Sequence, residues 1–326
     1  MNTRRKLIVA LGAIALATPF ASFAQQQGKV WRIGYLSGRK GRPDPTADAL
    51  LQGLRELGYV EGKNILIEYR YVGEMRERTA SVIAELVQLK LDAIVSPNLE
   101  TNLAAKQATK TIPIVFVINQ DPVAVGLVDS LAHPGGNITG ISRLTRELSG
   151  KRLELLKEII PGIARVGILW DANDKSQVTK DYETAARALK LQLHSLEVRG
   201  PNLDLEGVFQ SAAKRRVSAL IIVRDAIFLD YAKQIAELAI KHRLPSICEG
   251  SEFIDAGGLM SYSPNIAESS KRAAYYVDKI LKGAKPGDLP IEQPTRFDLV
   301  INMKTAKAIG LAIPKDMLLR AHKVIE

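Results

Sequence analysis

The sequence predicts an α/β protein with two doubly wound sheets, because three features recur along most of its length. Short apolar runs, several of them almost continuous in Val, Ile and Leu, are typical of parallel strands covered on both faces. Segments with helical periodicity alternate with these runs, as they do in βαβ units. The alternation occurs in two series, one beginning at Val30 and one after Pro161. Each series therefore predicts one Rossmann-like sheet.

The first series opens with a strand at 30–37, followed by a loop rich in Gly, Arg and Pro. Asp44 supplies an N-cap and Pro45 the first helical residue, and Gly58 ends the helix that they begin. The rest of the series predicts strands at 65–71, 92–96, 114–119 and 138–142, with helices near 79–89 and 101–110.

The second series predicts strands at 166–170, 193–198, 219–223 and 246–248, with helices around 176–189, 205–215 and 230–242. The tail then predicts a strand at 259–263, a long helix at 267–281, a Pro-rich segment, a strand at 297–301 and one short terminal helix.

The first 24 residues predict a secretory signal peptide. Arg4, Arg5 and Lys6 precede an apolar run at 7–17, and small residues lead to a cleavage site after Ala24. A membrane-spanning helix takes about 20 apolar residues, so this run is too short to be one. The paired arginines also fit a twin-arginine signal, so both export routes stay open. We expect a free periplasmic protein without a lipid anchor.

The composition excludes several classes of protein. The chain has 326 residues, 46% hydrophobic and 25% charged, with mean hydropathy near zero, which excludes disordered, collagen-like and polytopic membrane proteins. A single cysteine, Cys248, allows no internal disulfide and, with four scattered histidines, no closed zinc site. The net charge of +10 includes no run of five basic residues, so we expect a solvated surface and no nucleic-acid partner.

No motif indicates catalysis. The loop at 37–42 lacks the glycine spacing of a dinucleotide site, and the chain has no GxxxxGK[ST], GxSxG or HExxH. We therefore expect a binding protein that is not an enzyme and needs no cofactor or metal. A periplasmic enzyme or a ligand-sensing subunit stays open as the alternative. The effector domain of a transcription regulator is disfavoured, because a signal peptide stands where its DNA-binding helices would be.

Candidate ligand contacts follow from the rule that open α/β sheets bind ligands beyond the carboxyl ends of their strands. The rule selects Ser37, Ser96, Asn98, Thr101, Asp121, Asp171, Asp225, Glu249, Ser251 and the aromatic Tyr262. Small donors at one helix N-terminus and acids opposite them fit a small zwitterion. We expect Ser96 and Thr101 to bind its carboxylate, and Asp225 or Glu249 its ammonium group. Each polar residue could instead be a helix cap.

Several segments carry a family likeness. They are QGLRELGYVEGKN at 52–64, LAAKQAT at 103–109, IPIVF at 112–116, Asp121-Pro122, PGGNITG at 134–140, GGLMSY at 257–262 and LVINMKTA at 299–306. In this order, between Val30 and Glu326, they resemble the tryptophan/tyrosine-type ABC transporter substrate-binding proteins.

The resemblance implies a type I periplasmic binding-protein fold, in which three crossovers join two α/β lobes and the ligand lies between them. Lobe 1 would comprise 25–141 and 264–285, and lobe 2 would comprise 142–263 and 286–326. It also implies a monomer that delivers its solute to an ABC permease in the inner membrane. The turn at 96–101 departs from the Gly-Thr-Pro-like turn of many members, so the solute stays open between an aromatic amino acid and other small solutes.

Overall fold

The computed structural model describes residues 29–42, 44–73, 76–143, 147–173, 178–200 and 202–326, so the predicted signal peptide lies outside the described residues. Residues Trp31–Glu326 form one compact unit that contains every described strand and helix. Within these ranges, no helix combines the length and the hydropathy that crossing a membrane requires.

The first sheet has five parallel strands in the order β2-β1-β3-β4-β5. These are β1 (Trp31–Ser37), β2 (Ile65–Tyr71), β3 (Ala93–Ser96), β4 (Ile114–Ile118) and β5 (Ile138–Ser142). The intervening helices are α1 (Pro45–Glu56), α2 (Thr79–Gln88), which follows a 3-10 turn at Arg76–Arg78, and α3 (Leu99–Ala108). This order, with β1 between β2 and β3, confirms the predicted doubly wound sheet.

The second sheet has seven strands in the order β12-β11-β10-β9-β8-β6-β7, and all its pairs are parallel except β10 with β11. Its strands are β6 (Arg165–Asp171), β7 (Gln192–Val198), β8 (Ala219–Ile222), β9 (Ser246–Cys248), β10 (Met260–Ser263), β11 (Asp298–Asn302) and β12 (Lys323–Ile325). The helices that follow α3 are α4 (Ser149–Ile159), α5 (Val178–Ala188), α6 (Leu205–Lys214), α7 (Ala226–Asp230), α8 (Ala232–Lys241), α9 (Glu252–Asp255), α10 (Ile266–Leu281), α11 (Met303–Ile309) and α12 (Lys315–Arg320).

Several element predictions were wrong in detail. No helix was predicted at α4, where a buried Arg152 interrupts the apolar pattern. The helix predicted at 230–242 is α8, and the short α7 before it was not predicted. The single terminal helix is two short helices followed by β12. A strand of three residues such as β12 is too short to show a period of two.

Apolar side chains cover both faces of each sheet, as the continuous apolar strands predicted. Helix α10 follows β10 of the second sheet but packs with α1 on the first sheet. A Cβ atom on Gly53 of α1 would lie 2.8 Å from the Lys271 carbonyl oxygen of α10, so the two helices approach closely only because this residue is glycine.

The chain passes between the two sheets after β5, after β10 and again after α10, as the described residues trace it. The third passage runs beside β5, because the N–H of Ser142 donates to the carbonyl of Glu292 at 3.0 Å. This arrangement agrees with the three crossovers implied by the resemblance.

Candidate functional site

A cavity of about 420 Å³ lies at the carboxyl ends of strands from both sheets. The first sheet contributes residues after β1, β3 and β4, including Ser37, Asn98 and Asn119, and the second contributes Arg224 and Asp225 after β8. This is the place where open α/β sheets bind ligands, and the volume lies in the range of small-molecule sites.

One side of the cavity is aliphatic. Leu99 and Leu103 of α3 and Leu229 of α7 line it, together with Ala80 and Ala104. None of the described lining residues is aromatic. An apolar group of a ligand would therefore pack against branched aliphatic side chains.

The charged lining residues are acidic in excess. Asp44, Glu77, Glu100 and Asp225 border the cavity, together with the two basic residues Arg39 and Arg224. Both arginines already have acidic partners: Arg39 Nη2 lies 3.2 Å from Asp230 Oδ1, and Arg224 Nη2 lies 2.6 Å from Glu252 Oε1. The lining therefore favours a cationic group such as an ammonium.

Asp44 lines the cavity, although the sequence indicated only that it caps a helix. Its Oδ1 accepts the N–H groups of Thr46 and Ala47 at 3.1 and 3.4 Å, which confirms the predicted N-cap of α1. Its Oδ2 accepts the hydroxyl of Tyr35 at 2.9 Å. Burial, followed by the charge of Asp44, raises the pKa of Tyr35 well above its ordinary value, so this hydroxyl remains a donor.

Asn98 lines the cavity at the start of α3, and Ser96 and Thr101 lie behind it. Asn98 Oδ1 accepts the N–H of Thr101 at 3.1 Å, which caps the helix. The hydroxyl oxygens of Ser96 and Thr101 lie 2.5 Å apart, and both residues are buried. The hydroxyls therefore bind each other in this structure, and their contact with a ligand carboxylate stays a prediction.

Glu249 lies outside the cavity lining in a buried polar network. Its carboxylate accepts the hydroxyl of Tyr182 at 2.8 Å, Arg152 Nη1 at 3.3 Å and the N–H of Arg224 at 3.1 Å. Arg152 Nε also donates to the carbonyl of Tyr262 at 2.9 Å. The sequence analysis selected Glu249 but neither Arg152 nor Tyr182, which come from distant parts of the chain.

Asp225 lies in the lining, and its side chain caps α7 by accepting the N–H of Ile227 at 3.0 Å. Next to Asp225, residues of the first sheet contact residues of the second sheet. Asn119 Nδ2 lies 3.5 Å from the Arg224 carbonyl oxygen, and the N–H of Lys40 donates to Asp230 at 3.0 Å. The loop after β1 therefore contacts α7 across the cavity.

Four other predicted contacts lie outside the lining. Asp121 is exposed and accepts the N–H of Val123 at 2.8 Å, and buried Asp171 accepts the N–H of Asn173 at 3.0 Å. Ser251 precedes α9 without capping it, and the Tyr262 ring lies 6.2 Å from that of Phe297. Ser37 is in the lining, and its Oγ accepts the N–H of Arg39 at 3.2 Å.

Arg143 was not selected from the sequence, although it directly follows β5. Its side chain is 0% exposed, and within the described ranges its guanidinium has no hydrogen-bond partner. The strand-end rule, applied to β5 as it was to β1 and β3, would have found it.

The described residues contain no group of three or more His, Cys, Asp and Glu side chains that could hold a metal ion. Cys248 is a free, buried thiol, and burial raises its pKa far above the ordinary value.

The sequence model of a family described as ABC transporter substrate binding protein matches residues 43–325. A tyrosine-binding protein from Clostridioides difficile (strain R20291) is 25% identical over 274 residues, covering 82% of this chain and 77% of that protein.

Solved structures show the same architecture. A conserved domain protein from Vibrio cholerae O1 biovar eltor has a TM-score of 0.83 and 27% identity, covering 91% of this chain and 100% of that chain. An ABC domain from Streptococcus pneumoniae in complex with L-Trp has a TM-score of 0.78 and 24% identity, covering 90% and 100%. More distant neighbours place the fold among the type I periplasmic binding proteins.

Proposed function

The chain belongs to the ABC transporter substrate-binding proteins, which bind ligands and are not enzymes, and from that premise we propose that it is a periplasmic receptor. It captures a small zwitterion, an aromatic or other amino acid with an apolar side chain, between the two sheets. It then delivers this amino acid, as a monomer, to an ABC permease in the inner membrane.

The cavity lined by both sheets is the observation that carries this proposal. Asp44 and Asp225 offer carboxylates to an ammonium group, and Leu99, Leu103 and Leu229 offer an apolar wall to the side chain. An amino acid with an apolar side chain satisfies both at once, whereas a neutral sugar brings no positive charge and an inorganic cation brings no apolar group.

Two of the similar proteins support an aromatic ligand, because one is named for tyrosine and another was solved with L-Trp. In this chain the ring would pack against aliphatic side chains, because the described lining residues include no aromatic side chain.

The binding step is tested with the purified mature protein and each of the twenty amino acids. Ligand at a hundred times its dissociation constant stabilises a protein by about 2.7 kcal/mol, so the unfolding midpoint should rise by several degrees with the true ligand. Calorimetry then measures the affinity. If no amino acid raises the midpoint or releases heat, the proposed function is wrong.

Location and delivery need experiments in cells. N-terminal sequencing of the periplasmic protein should begin at Gln25, and deletion of the gene should abolish uptake of the amino acid found by calorimetry. Undiminished uptake in the deletion strain would contradict delivery and favour the sensing alternative.

A further inference from the structure

Three buried arginines lie near the strand ends of this protein, and two of them have carboxylate partners. Arg152 pairs with Glu249 at 3.3 Å. Arg224 directs both Nε and Nη2 to Glu252 Oε1, at 3.0 and 2.6 Å. The third, Arg143, has no carboxylate partner among the described residues.

The guanidinium of Arg143 is fully buried, and no described residue forms a hydrogen bond with its Nε, Nη1 or Nη2. A guanidinium carries five donors, and enclosing it without an acceptor is strongly unfavourable. Burial, followed by the charge of Arg224, lowers the pKa of Arg143 well below its ordinary value, while Glu252, Tyr35 and Glu249 act in the opposite direction. An acceptor with negative charge would satisfy these donors and favour the charged form of Arg143.

Backbone contacts place Arg143 beside the ligand cavity. Its N–H donates to the carbonyl of Ile118 at 2.8 Å, at the end of β4. The next residue, Asn119, lines the cavity and approaches Arg224 of the second sheet. Arg143 thus stands at the edge of the first sheet, where that sheet meets the second.

We infer that Arg143 binds the carboxylate of the ligand and that this carboxylate accepts the hydrogen bonds of its buried guanidinium. The inference rests on the proposed function and specifies where the amino acid is held. The planar guanidinium matches a carboxylate through two parallel hydrogen bonds. With Arg143 at the carboxylate, the ammonium group would lie toward the acidic lining residues, which include Asp44 and Asp225. Because Arg143 is fully covered, the ligand reaches it while the two sheets are apart and becomes enclosed when they close.

This assignment differs from the carboxylate site expected at the start of α3. There, the N–H of Thr101 already donates to Asn98, and the hydroxyls of Ser96 and Thr101 bind each other. These groups have partners without a ligand, whereas the guanidinium of Arg143 has none in the part of the chain that the structure describes.

The first experiment replaces Arg143 and measures affinity and stability together. The probe is the tightest binder among the twenty amino acids. Arg143→Met should weaken its binding about tenfold to a hundredfold. Arg143→Lys should weaken it less, because lysine keeps the positive charge but cannot form two parallel hydrogen bonds with a carboxylate. The unfolding midpoint of ligand-free Arg143→Met should stay equal or rise, because an unpaired buried charge is removed. The exposed Arg187→Met on α5 is the matched control and should bind within twofold of the wild type.

The second experiment removes the carboxylate from the ligand. The same amino acid and its decarboxylated amine are titrated into wild type and Arg143→Met. The wild type should prefer the amino acid by the factor lost in Arg143→Met, and the variant should bind both about equally.

The outcomes separate the inference from the proposed function. If Arg143→Met binds within twofold, keeps the preference for the amino acid, or has a lowered midpoint with unchanged affinity, the inference is wrong and the receptor function stands. If the wild type binds no amino acid, the proposed function fails and the inference fails with it.

Discussion

Glu249 and Asp225 follow neighbouring strands of the second sheet, yet their surroundings differ. Glu249 is enclosed by Arg152, Tyr182 and the N–H of Arg224, whereas Asp225 borders the cavity. The carboxylate of Glu249 therefore binds buried groups of the protein, whereas that of Asp225, which also caps α7, lies in the cavity lining.

Replacing these acids by their amides should separate the two roles. Asp225→Asn keeps a side chain that caps α7, so the unfolding free energy should change by less than about 1 kcal/mol while ligand affinity falls about tenfold. Glu249→Gln leaves Arg152 without its counter-charge and should lower the unfolding free energy by about 3 kcal/mol or more. Urea unfolding and calorimetry measure both effects. A large loss of affinity in Glu249→Gln at unchanged stability would instead make Glu249 a ligand contact.

Glu252 makes folding stability depend on pH. Burial opposes its ionisation, but the charge and hydrogen bonds of Arg224 hold the pKa of Glu252 below its ordinary value of 4.5. The unfolded chain therefore binds the proton first as the pH falls. The stability from this group is complete above the ordinary pKa and is lost as the pH falls through the lower, folded value.

Glu252→Gln should accordingly show a shallower loss of unfolding free energy between about pH 5 and pH 3 than the wild type. Urea unfolding at a series of pH values measures these slopes, with the exposed Glu237→Gln of α8 as the control. Equal slopes in wild type and Glu252→Gln would contradict the assignment.

At the scale of elements, the packing of α10 against α1 holds a late part of the chain on the first sheet. The close approach at Gly53 allows it, since a Cβ there would lie 2.8 Å from the Lys271 carbonyl oxygen and 2.9 Å from Ala274 Cβ. Backbone atoms on a packed helix have little freedom to move away.

Gly53→Ala should lower the unfolding free energy by about 1 to 3 kcal/mol, because the clash exceeds the gain in helix propensity. Gly150→Ala in α4 is the matched control, since its Cβ would meet only Ala185 Cβ at 3.9 Å. That variant should be unchanged or more stable by up to about 1 kcal/mol. Thermal and urea unfolding compare the two, and equal effects would show that helix approach is not limiting at Gly53.

At the scale of the whole molecule, contacts between the loop after β1 and α7 hold the two sides of the cavity together. Asp230 of α7 accepts the N–H of Lys40 at 3.0 Å and pairs with Arg39 at 3.2 Å. In this structure, residues from both sheets line the cavity that these contacts border.

We expect the radius of gyration to decrease when the wild type binds its amino acid, because the two sheets close around it. Asp230→Asn removes the charge that attracts Arg39 and should weaken affinity severalfold, mainly through faster dissociation. Small-angle scattering and stopped-flow dissociation measure these effects. An unchanged radius of gyration at saturating ligand would contradict closure.

The sequence by itself determined the alternation of strands and helices, the two sheets and the family, because periodicity, caps and apolar runs are local properties. It also indicated the edge of the sheets where the cavity lies, since parallel strands end together. Only the tertiary structure decided which strand-end side chains are occupied by others. Glu249 binds Arg152 across 97 residues of sequence, Ser96 binds Thr101, and Arg143 has no acceptor among the described residues. Such contacts depend on how strands and helices pack in three dimensions, and no local pattern records that.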